Sequence, residues 1–262
     1  MNQLFSVSLL GCLLQLTMSL HGDFSFKSFN NWLFGYSQET VYHECDFKPN
    51  RTLEIENNTQ GSITIKTWAR HKIVLNAIIK SKEKKITDPL IITVTDSTAI
   101  IKTKESLPPS TTIDYELMIP EQTNLIIRAH GTVKVKAVDG TLNIQAQGPI
   151  DIRSAANSIN AHTQHSCSIS MHTVPLASRI YIESWGPVDL IMPTITNAQL
   201  YAKTENGSIS SEHYFTFRPF STKLNQNTWN QMRKEINGCI GNGGAHIEIH
   251  CKKGTIKLLK NN

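Results

Sequence analysis

Two aspartates occupy equivalent places in repeated sequence units and are of a type that could bind a divalent metal. Asp151 lies in the segment GPIDI and Asp189 in the segment GPVDL. Polysaccharide-cleaving β-helix enzymes hold a metal with carboxylates on adjacent strands and use a basic residue to remove a proton. We expect these two carboxylates to lie two strand spacings apart, about 9.6 Å, with only Asn160 and Ser168 in the intervening units. The spacing favours two solvated surface aspartates.

A second group of candidate ligands is the outward row His246, Glu248 and His250, because alternation places Ile247 and Ile249 on the inner face. A zinc site needs ligands that converge on one point, whereas alternate residues of a strand run parallel. The other clustered histidines, His162, His165 and His172, share one irregular segment, and no nucleophile elbow accompanies any of them. We therefore predict no catalytic residue, no metal site and no cofactor.

Cysteine pairing is a further candidate feature. The chain has five cysteines, and four remain if an N-terminal leader is removed. Cys239 and Cys251 are the only close pair, and a Gly-rich turn separates them. They could form a disulfide in an exported protein, or they could be small, half-buried strand residues. Both interpretations stay open at this stage.

The elements that would position these residues are short strands separated by regular turns. In the segment 131–161, the turn residues Gly131, Gly140, Gly148 and Asn157 follow each other at steps of 9, 8 and 9 residues. Apolar residues alternate with polar ones inside each unit, which is typical of a strand with one buried face. The spacing predicts an all-β, single-domain, right-handed parallel β-solenoid with Gly-x-Ile-x-Ile repeats.

The same pattern assigns core and turn positions. The residues predicted to stack inward are Val133, Val135, Leu142, Ile144, Ile150 and Ile152. The glycines predicted at the corners, where they would allow a positive φ, are Gly131, Gly140, Gly148, Gly186, Gly207 and Gly254.

The ends of the chain depart from the repeat. Residues 1–22 contain an apolar run and predict a signal peptide, although no Lys or Arg precedes Lys27; an uncleaved anchor and a lipoprotein cut at Cys12 are the alternatives. Residues 23–46 are rich in aromatics and predict a cap over the N-terminal end. Residues 47–262 would form the solenoid domain, with an insertion at 213–238 that carries a short helix near 226–237, where Trp229, Met232 and Ile236 share a face.

Taken together, these residues resemble the bacterial putative-adhesin family, a group of exported or envelope-associated β-solenoid domains of largely unknown function. The likeness rests on the segments LEIENNTQGSITI, TIDYELMIP and GNGGAHIEIHCKKGTIKL, taken in order and with their spacing. It covers roughly Phe47 to the C-terminus, with the insertion outside it. The resemblance implies a fold and a compartment, and it brings no catalytic residues.

The charge of the chain and its distribution argue against nucleic-acid binding. The net charge of +5 is spread along the chain, whereas a nucleic-acid surface needs a basic stripe with stacking aromatics. We predict a non-enzymatic protein that is periplasmic, on the cell surface or secreted, and that presents a repetitive polar face to a surface glycan, an envelope polymer or another protein. Membrane contact would come only through a retained leader or a lipid anchor. A polysaccharide-active β-helix lyase or hydrolase is the alternative.

Overall fold

The structure is a computed structural model, and it describes residues 37–82, 86, 88–217 and 234–261. These residues form 21 β-strands and no helix, so none of them belongs to a membrane-spanning helix. The strands make up two sheets.

The first sheet has ten strands. In spatial order they are β1 (Ser37–Asp46), β4 (Lys72–Ser81), β7 (Thr112–Pro120), β3 (Ile63–Trp68), β9 (Val133–Lys136), β11 (Ile150–Ala155), β13 (Cys167–Met171), β15 (Val188–Pro193), β21 (Ile256–Asn261) and β17 (Ile209–Ser211).

The second sheet has 11 strands. In spatial order they are β18 (Phe215–Phe217), β19 (Glu235–Ile240), β16 (Ala198–Asn206), β20 (Ala245–Lys253), β14 (Arg179–Ser184), β12 (Ile159–Thr163), β10 (Leu142–Ala146), β8 (Asn124–Ala129), β2 (Thr52–Asn57), β6 (Thr98–Thr103) and β5 (Leu90–Val94).

In the middle of the chain, consecutive strands alternate between the two sheets. Strands β9, β11, β13 and β15 pair in parallel in the first sheet, and β8, β10, β12 and β14 do so in the second. A strand therefore lies beside the strand two places earlier in sequence. Asn160, for example, lies next to Asn143, which is 17 residues earlier in the chain. One 8- or 9-residue unit carries the chain from one sheet to the other.

The predicted fold class, a single right-handed parallel β-solenoid, is wrong. Both sheets mix parallel and antiparallel pairs. Strand β4 pairs antiparallel with both β1 and β7, and β5 pairs antiparallel with β6. At the other end, β19 pairs antiparallel with β16 and β18. The regular turn spacing holds only for the central strands. Long strands such as β1 and β4 pair antiparallel and do not follow it.

The inner faces of both sheets contribute to one hydrophobic core. Along β10, for example, Leu142, Ile144 and Ala146 are buried, while Asn143 and Gln145 are exposed. The side chains that the sequence placed inward all lie in this core: Val133, Val135, Leu142, Ile144, Ile150 and Ile152. Full burial of each such side chain stabilises the fold by roughly 1.5–3 kcal/mol. The outward side chains contribute little to this core, so they can vary without disturbing it.

The turn glycines are needed mainly because neighbouring turns pack closely, and less because the backbone adopts an unusual conformation. Of the six glycines predicted at corners, only Gly254 has a positive φ, of 122°. At the other five, Gly131, Gly140, Gly148, Gly186 and Gly207, an added Cβ would crowd the backbone of an adjacent turn. At Gly140 it would collide with the carbonyl of Thr123 and lie 2.9 Å from the amide nitrogen of Asn124. The positive-φ argument is wrong for these five.

Several predictions at the ends concern residues outside the described ranges. The leader at 1–22, the aromatic residues of the segment 23–36 and most of the insertion, 218–233, are among them. The described parts of these segments form strands. Residues 37–46 form strand β1, and Ile236 and Gly238 lie in β19, so the helix predicted near 226–237 is wrong for its last turn. Antiparallel pairing with β16 makes this segment a strand rather than a helix.

Candidate functional site

The outer face of the 11-stranded sheet carries a cluster of aromatic and ionisable side chains, which we call the Tyr–His cluster: His162, Tyr181, Glu183, Tyr201, Glu248 and His250. Each belongs to an alternating strand whose other residues enter the core, so the cluster follows from strand pairing. Tyr181, Glu248 and Tyr201 are direct neighbours across β14, β20 and β16.

Ring contacts run through this cluster. The ring of His250 lies between the two tyrosines, 5.9 Å from the centroid of Tyr181 and 5.6 Å from that of Tyr201. The ring of His162 lies 5.3 Å from that of Tyr181 on the other side. These tilted contacts are typical of stabilising aromatic pairs. The cluster therefore forms a continuous aromatic surface across several strands.

Hydrogen bonds fix the charges of the cluster. Glu248 accepts a bond of 2.7 Å from Nε2 of His250, and Nε2 of His246 lies 3.6 Å from its other carboxylate oxygen. The bond from His250, helped by His246, lowers the pKa of Glu248. Burial, followed by the charge of Glu183, raises the pKa of Tyr181. At neutral pH the cluster therefore holds an ionised carboxylate beside neutral phenols.

Three cavities on this outer face adjoin one another, and we call the concave surface they form the groove. One cavity, of about 460 Å³, shares His162 with a second of about 710 Å³. The first also shares Glu183 with a third cavity of about 330 Å³, which shares Tyr181 with the second. His162, Tyr181 and Glu183 of the Tyr–His cluster are therefore the residues that adjoining cavities share.

The groove exposes amide side chains that form no hydrogen bond with the part of the chain that the structure describes. Gln145, Gln147 and Gln164 line the first cavity, and within the described ranges their side chains make no hydrogen bond. Asn160 in the second cavity donates to Asn143 at 3.4 Å, while its Oδ1 accepts no hydrogen bond from the described residues. The three glutamine amides therefore leave hydrogen-bonding capacity along the groove unused, whereas Oδ1 of Asn160 is buried.

An exposed tryptophan borders the groove. Trp185 follows β14, and 51% of its surface is exposed. The ammonium of Lys252 lies 4.1 Å from the centre of its ring, which is cation–π geometry. Trp185 lines the first cavity and Lys252 the third. The pair therefore stands between the two cavities and leaves about half of the indole exposed to solvent.

The row of His246, Glu248 and His250 lies on this outer face, with Ile247 and Ile249 buried beneath it. The histidines bond to Glu248 rather than converging with it on one point. Among the residues that the structure describes, no group of three or more His, Cys, Asp or Glu is arranged to hold a metal ion. Of this row, His250 lines the third cavity of the groove.

Asp151 and Asp189 lie on the opposite side of the molecule, on the outer face of the ten-stranded sheet. Ser168 of β13 separates them in register, and Asn160 lies in the other sheet. Asp151 forms an ion pair of 2.9 Å with Arg153, and Asp189 pairs in register with Lys257. The two aspartates belong to a ladder of surface charges rather than to a shared site.

Cys239 and Cys251 are free thiols in this structure. Strand β16 lies between β19 and β20, and Cys239 pairs with Gln199 whereas Cys251 pairs with Thr204. Cys251 faces the core and bonds to the carbonyl of Gly186 at 3.2 Å, whereas Cys239 faces outward. A disulfide needs Cα atoms within about 7 Å, so this strand pairing keeps the two cysteines apart.

The sequence reasoning missed most of the groove. It singled out His162, His246 and His250, but it did not single out Tyr181, Tyr201, Trp185 or the three glutamines. Each tyrosine occupies the outward position of an alternating strand, in RIYIE and QLYAK. Superposing outward positions of successive strands in the observed register would have brought these residues together.

Comparison with known proteins places the fold. No family model matches the chain, and no curated protein matches it. It is similar to the crystal structure of a putative cell adhesion protein from Clostridium sporogenes, with a TM-score of 0.52 and 12% identity over 85% of this chain and 100% of that one.

Two other solved structures are less similar. One is a putative adhesin from Bacteroides fragilis, with a TM-score of 0.42 and 14% identity over 85% of this chain and 98% of that one. The other is a putative lipid binding protein from Parabacteroides distasonis, with a TM-score of 0.32 and 12% identity over 84% of this chain and 96% of that one. The predicted resemblance to putative adhesins is confirmed at the level of the fold by the Clostridium protein.

Proposed function

We propose that this chain is an exported, non-enzymatic binding protein of the adhesin type, which holds its ligand along the groove of the 11-stranded sheet. The observation that carries this proposal is the row of unpartnered amides and aromatic rings across neighbouring strands. Polar groups that are not consumed within the fold are available to a ligand. The fold similarity to a putative cell adhesion protein agrees with this role.

The repetition of strands determines the kind of binding. Each strand adds one or two outward side chains at a spacing of about 4.8 Å, so contacts repeat along the sheet. Individual contacts of this kind are weak, and a ligand with repeated units engages many of them at once. The groove therefore suits an extended partner better than a compact small molecule.

A glycan-cleaving enzyme is the competing interpretation, and Glu183 and Glu248 are the carboxylates that it would use. Glycoside hydrolysis needs a carboxylic acid whose pKa is raised, so that it can protonate the leaving group. The pKa of Glu248 is lowered instead, first by the hydrogen bond from His250. Glu248 is therefore unsuited to act as the acid, although a lowered pKa suits the nucleophile or base of such an enzyme.

The test compares the two outer faces. Purified protein is applied to a panel of immobilised polysaccharides, peptidoglycan and extracellular proteins. A groove variant, Gln145→Ala with Gln164→Ala, is compared with a control on the ten-stranded sheet, Lys134→Ala with Ser168→Ala. All four positions point away from the core. We expect the groove variant to lose retention and the control to keep it; equal retention by both variants would contradict the proposal.

Catalysis is checked on the same panel by measuring newly released reducing ends and unsaturated products, with and without Ca²⁺. We expect none. Turnover that disappears in Glu248→Gln or Glu183→Gln would replace the binding proposal by the hydrolytic one.

Export is tested by the intact mass of the mature protein expressed in a bacterial host. We expect loss of about twenty residues, the usual length of a signal peptide. A chain that retains Met1 would show an anchor, and a diacyl increment on Cys12 would show a lipoprotein.

A further inference from the structure

The charged residues that line the groove indicate which class of ligand it can bind. The residues that line its three cavities include three glutamates and four Lys or Arg. Some of these cations are neutralised by the protein itself: Arg128 bonds to Glu54 at 2.9 Å, and Lys203 lies 3.8 Å from Glu235. A site for an anionic polymer concentrates positive charge, and this groove does not.

The hydrogen-bonding groups of the groove fit hydroxyl groups. An amide side chain both donates and accepts, and so does a hydroxyl. Gln145, Gln147 and Gln164 present three such amides in one cavity. On the neighbouring strand β14, the Tyr181 hydroxyl donates to Glu183 at 3.4 Å, and its oxygen can still accept a hydrogen bond. A polymer rich in hydroxyls would satisfy both kinds of group without bringing a charge of its own.

The aromatic rings give the groove an apolar surface as well. Sugar rings carry an apolar face of C–H bonds, which packs on the face of an aromatic ring. Trp185 offers a half-exposed indole at the border of two cavities. Tyr181 and Tyr201, separated by one strand, are about 9.6 Å apart along the sheet at the usual strand spacing. Aromatic surfaces therefore recur along the groove.

The groove is also long. Its lining residues extend from β2 to β16, across β8, β10, β12, β14 and β20. Six strand spacings correspond to roughly 29 Å. A surface of this length would contact several sugar units together.

We propose that the groove binds an extended, uncharged polysaccharide, with the glutamine amides bonding to its hydroxyls and Trp185 packing against a sugar ring. This inference rests on the proposed function and names its ligand class. The first cavity, between β8 and β14, would be the principal subsite, because it combines Trp185 with all three glutamines.

The ten-stranded sheet offers the place where an anionic polymer would bind instead. Lys66, Lys136 and Arg153 are neighbours in register on β3, β9 and β11. Arg153 is paired with Asp151, and the two lysines form no ion pair with the described residues. This basic row lies on the sheet opposite to the groove, so the two ligand classes can be separated by mutation.

The experiment is isothermal titration calorimetry with soluble polysaccharides. The uncharged probes are glucomannan, xyloglucan, mixed-linkage β-glucan, galactan and dextran; the anionic probes are polygalacturonate and heparin. Trp185→Ala and the double variant Gln145→Ala with Gln164→Ala test the groove. Lys66→Ala with Lys136→Ala tests the basic row. Melting temperatures of all variants confirm folding.

We expect at least one uncharged polysaccharide to bind with an affinity that is insensitive to salt, since no ion pairs form with it. Trp185→Ala and the glutamine double variant should each weaken it by about tenfold or more, and the lysine variant should leave it unchanged. Binding confined to anionic probes, lost in the lysine variant and weakened by salt, would overturn the inference.

The failure of this inference is distinguishable from failure of the proposed function. If the groove variants abolish retention on an immobilised protein while no uncharged polysaccharide binds, the ligand class is wrong and the binding role stands. If the groove variants change no binding at all, both proposals fail.

Discussion

The outer faces of the two sheets rest on the same kind of inner face and differ in how their polar groups are used. On the ten-stranded sheet, Asp151 pairs with Arg153, and Asp114 accepts hydrogen bonds from Ser62 and Lys80. On the 11-stranded sheet, the amides of Gln145 and its neighbours bind nothing in the described protein. Ion pairs occur on both faces, Arg128 with Glu54 being one on the 11-stranded sheet, but that sheet also leaves a set of exposed amides available.

This difference shows that fold and function are carried by alternate residues of the same strands. In β10, Leu142 and Ile144 belong to the core, while Asn143 and Gln145 line the groove. A ligand-binding surface can then change without a change in the core, because each strand contributes to both. Substitutions on the inner and outer faces should therefore have separable effects on stability and on binding.

The largest effect is expected from a charge placed on an inner face. Ile144→Asp and Val135→Asp put a carboxylate into the core of each sheet, where both residues are buried. Each should lower the free energy of unfolding by more than about 3 kcal/mol. The outward controls, Asn143→Asp and Lys136→Asp, should stay within about 0.5 kcal/mol of the parent protein. Urea denaturation measures all four.

Comparable losses at the inward and outward positions would contradict the assignment of faces. A large loss in only one sheet would show that the two inner faces are not equivalent.

The sequence could predict the strands and the direction of their side chains, because alternation is a local property. It could not predict which strands pair. Strand β1 pairs antiparallel with β4, and β19 pairs antiparallel with β16; neither fact can be read from the turn spacing of residues 131–161. The resulting fold prediction extended the parallel centre to both ends and was wrong there.

The same limitation explains why the groove was missed. Tyr181 and Tyr201 are neighbours of Glu248 only because β14 and β16 flank β20, although β20 is the later strand in sequence. The register between distant strands depends on core packing and on the turns. The glycines were misjudged for a related reason, since the contact of Gly140 with Thr123 exists only once two turns are stacked.

An intermediate effect is expected at the turns that stack the strands of both sheets. Gly140→Ala would force its Cβ against the carbonyl of Thr123, and neither backbone can move without disturbing β8 or β10. We expect a loss of about 2 kcal/mol or more. In Gly186→Ala the nearest atoms, of His165, lie at 3.0 Å, so the loss should be about 1 kcal/mol.

Thermal and urea denaturation of the two variants measure this difference. Since neither glycine has a positive φ, both effects would come from crowding. A greater loss for Gly186→Ala than for Gly140→Ala would contradict the crowding argument.

The smallest effects compare two outward carboxylates, one on each sheet. Asp114 accepts hydrogen bonds from the amide and hydroxyl of Ser62, at 2.8 and 2.9 Å, and from Lys80 at 2.9 Å. Burial would raise the pKa of Asp114, but these donors together hold it below its usual 3.8. Glu248, whose pKa is also lowered, is held by two histidine side chains and has a more exposed side chain, 34% against an exposed fraction of 24% for Asp114.

A carboxylate with a lowered pKa stabilises the folded state above its unfolded pKa, and this contribution is lost as the pH falls through the folded pKa. Asp114→Asn should therefore cost about 1 kcal/mol at pH 7, after allowance for solvent screening, and flatten the decline in stability below about pH 4. Glu248→Gln should cost less than about 0.5 kcal/mol, because its side chain is more exposed and its partners are two surface histidines. Urea denaturation from pH 7 to pH 3 measures both, and a larger loss for Glu248→Gln than for Asp114→Asn would contradict this ordering.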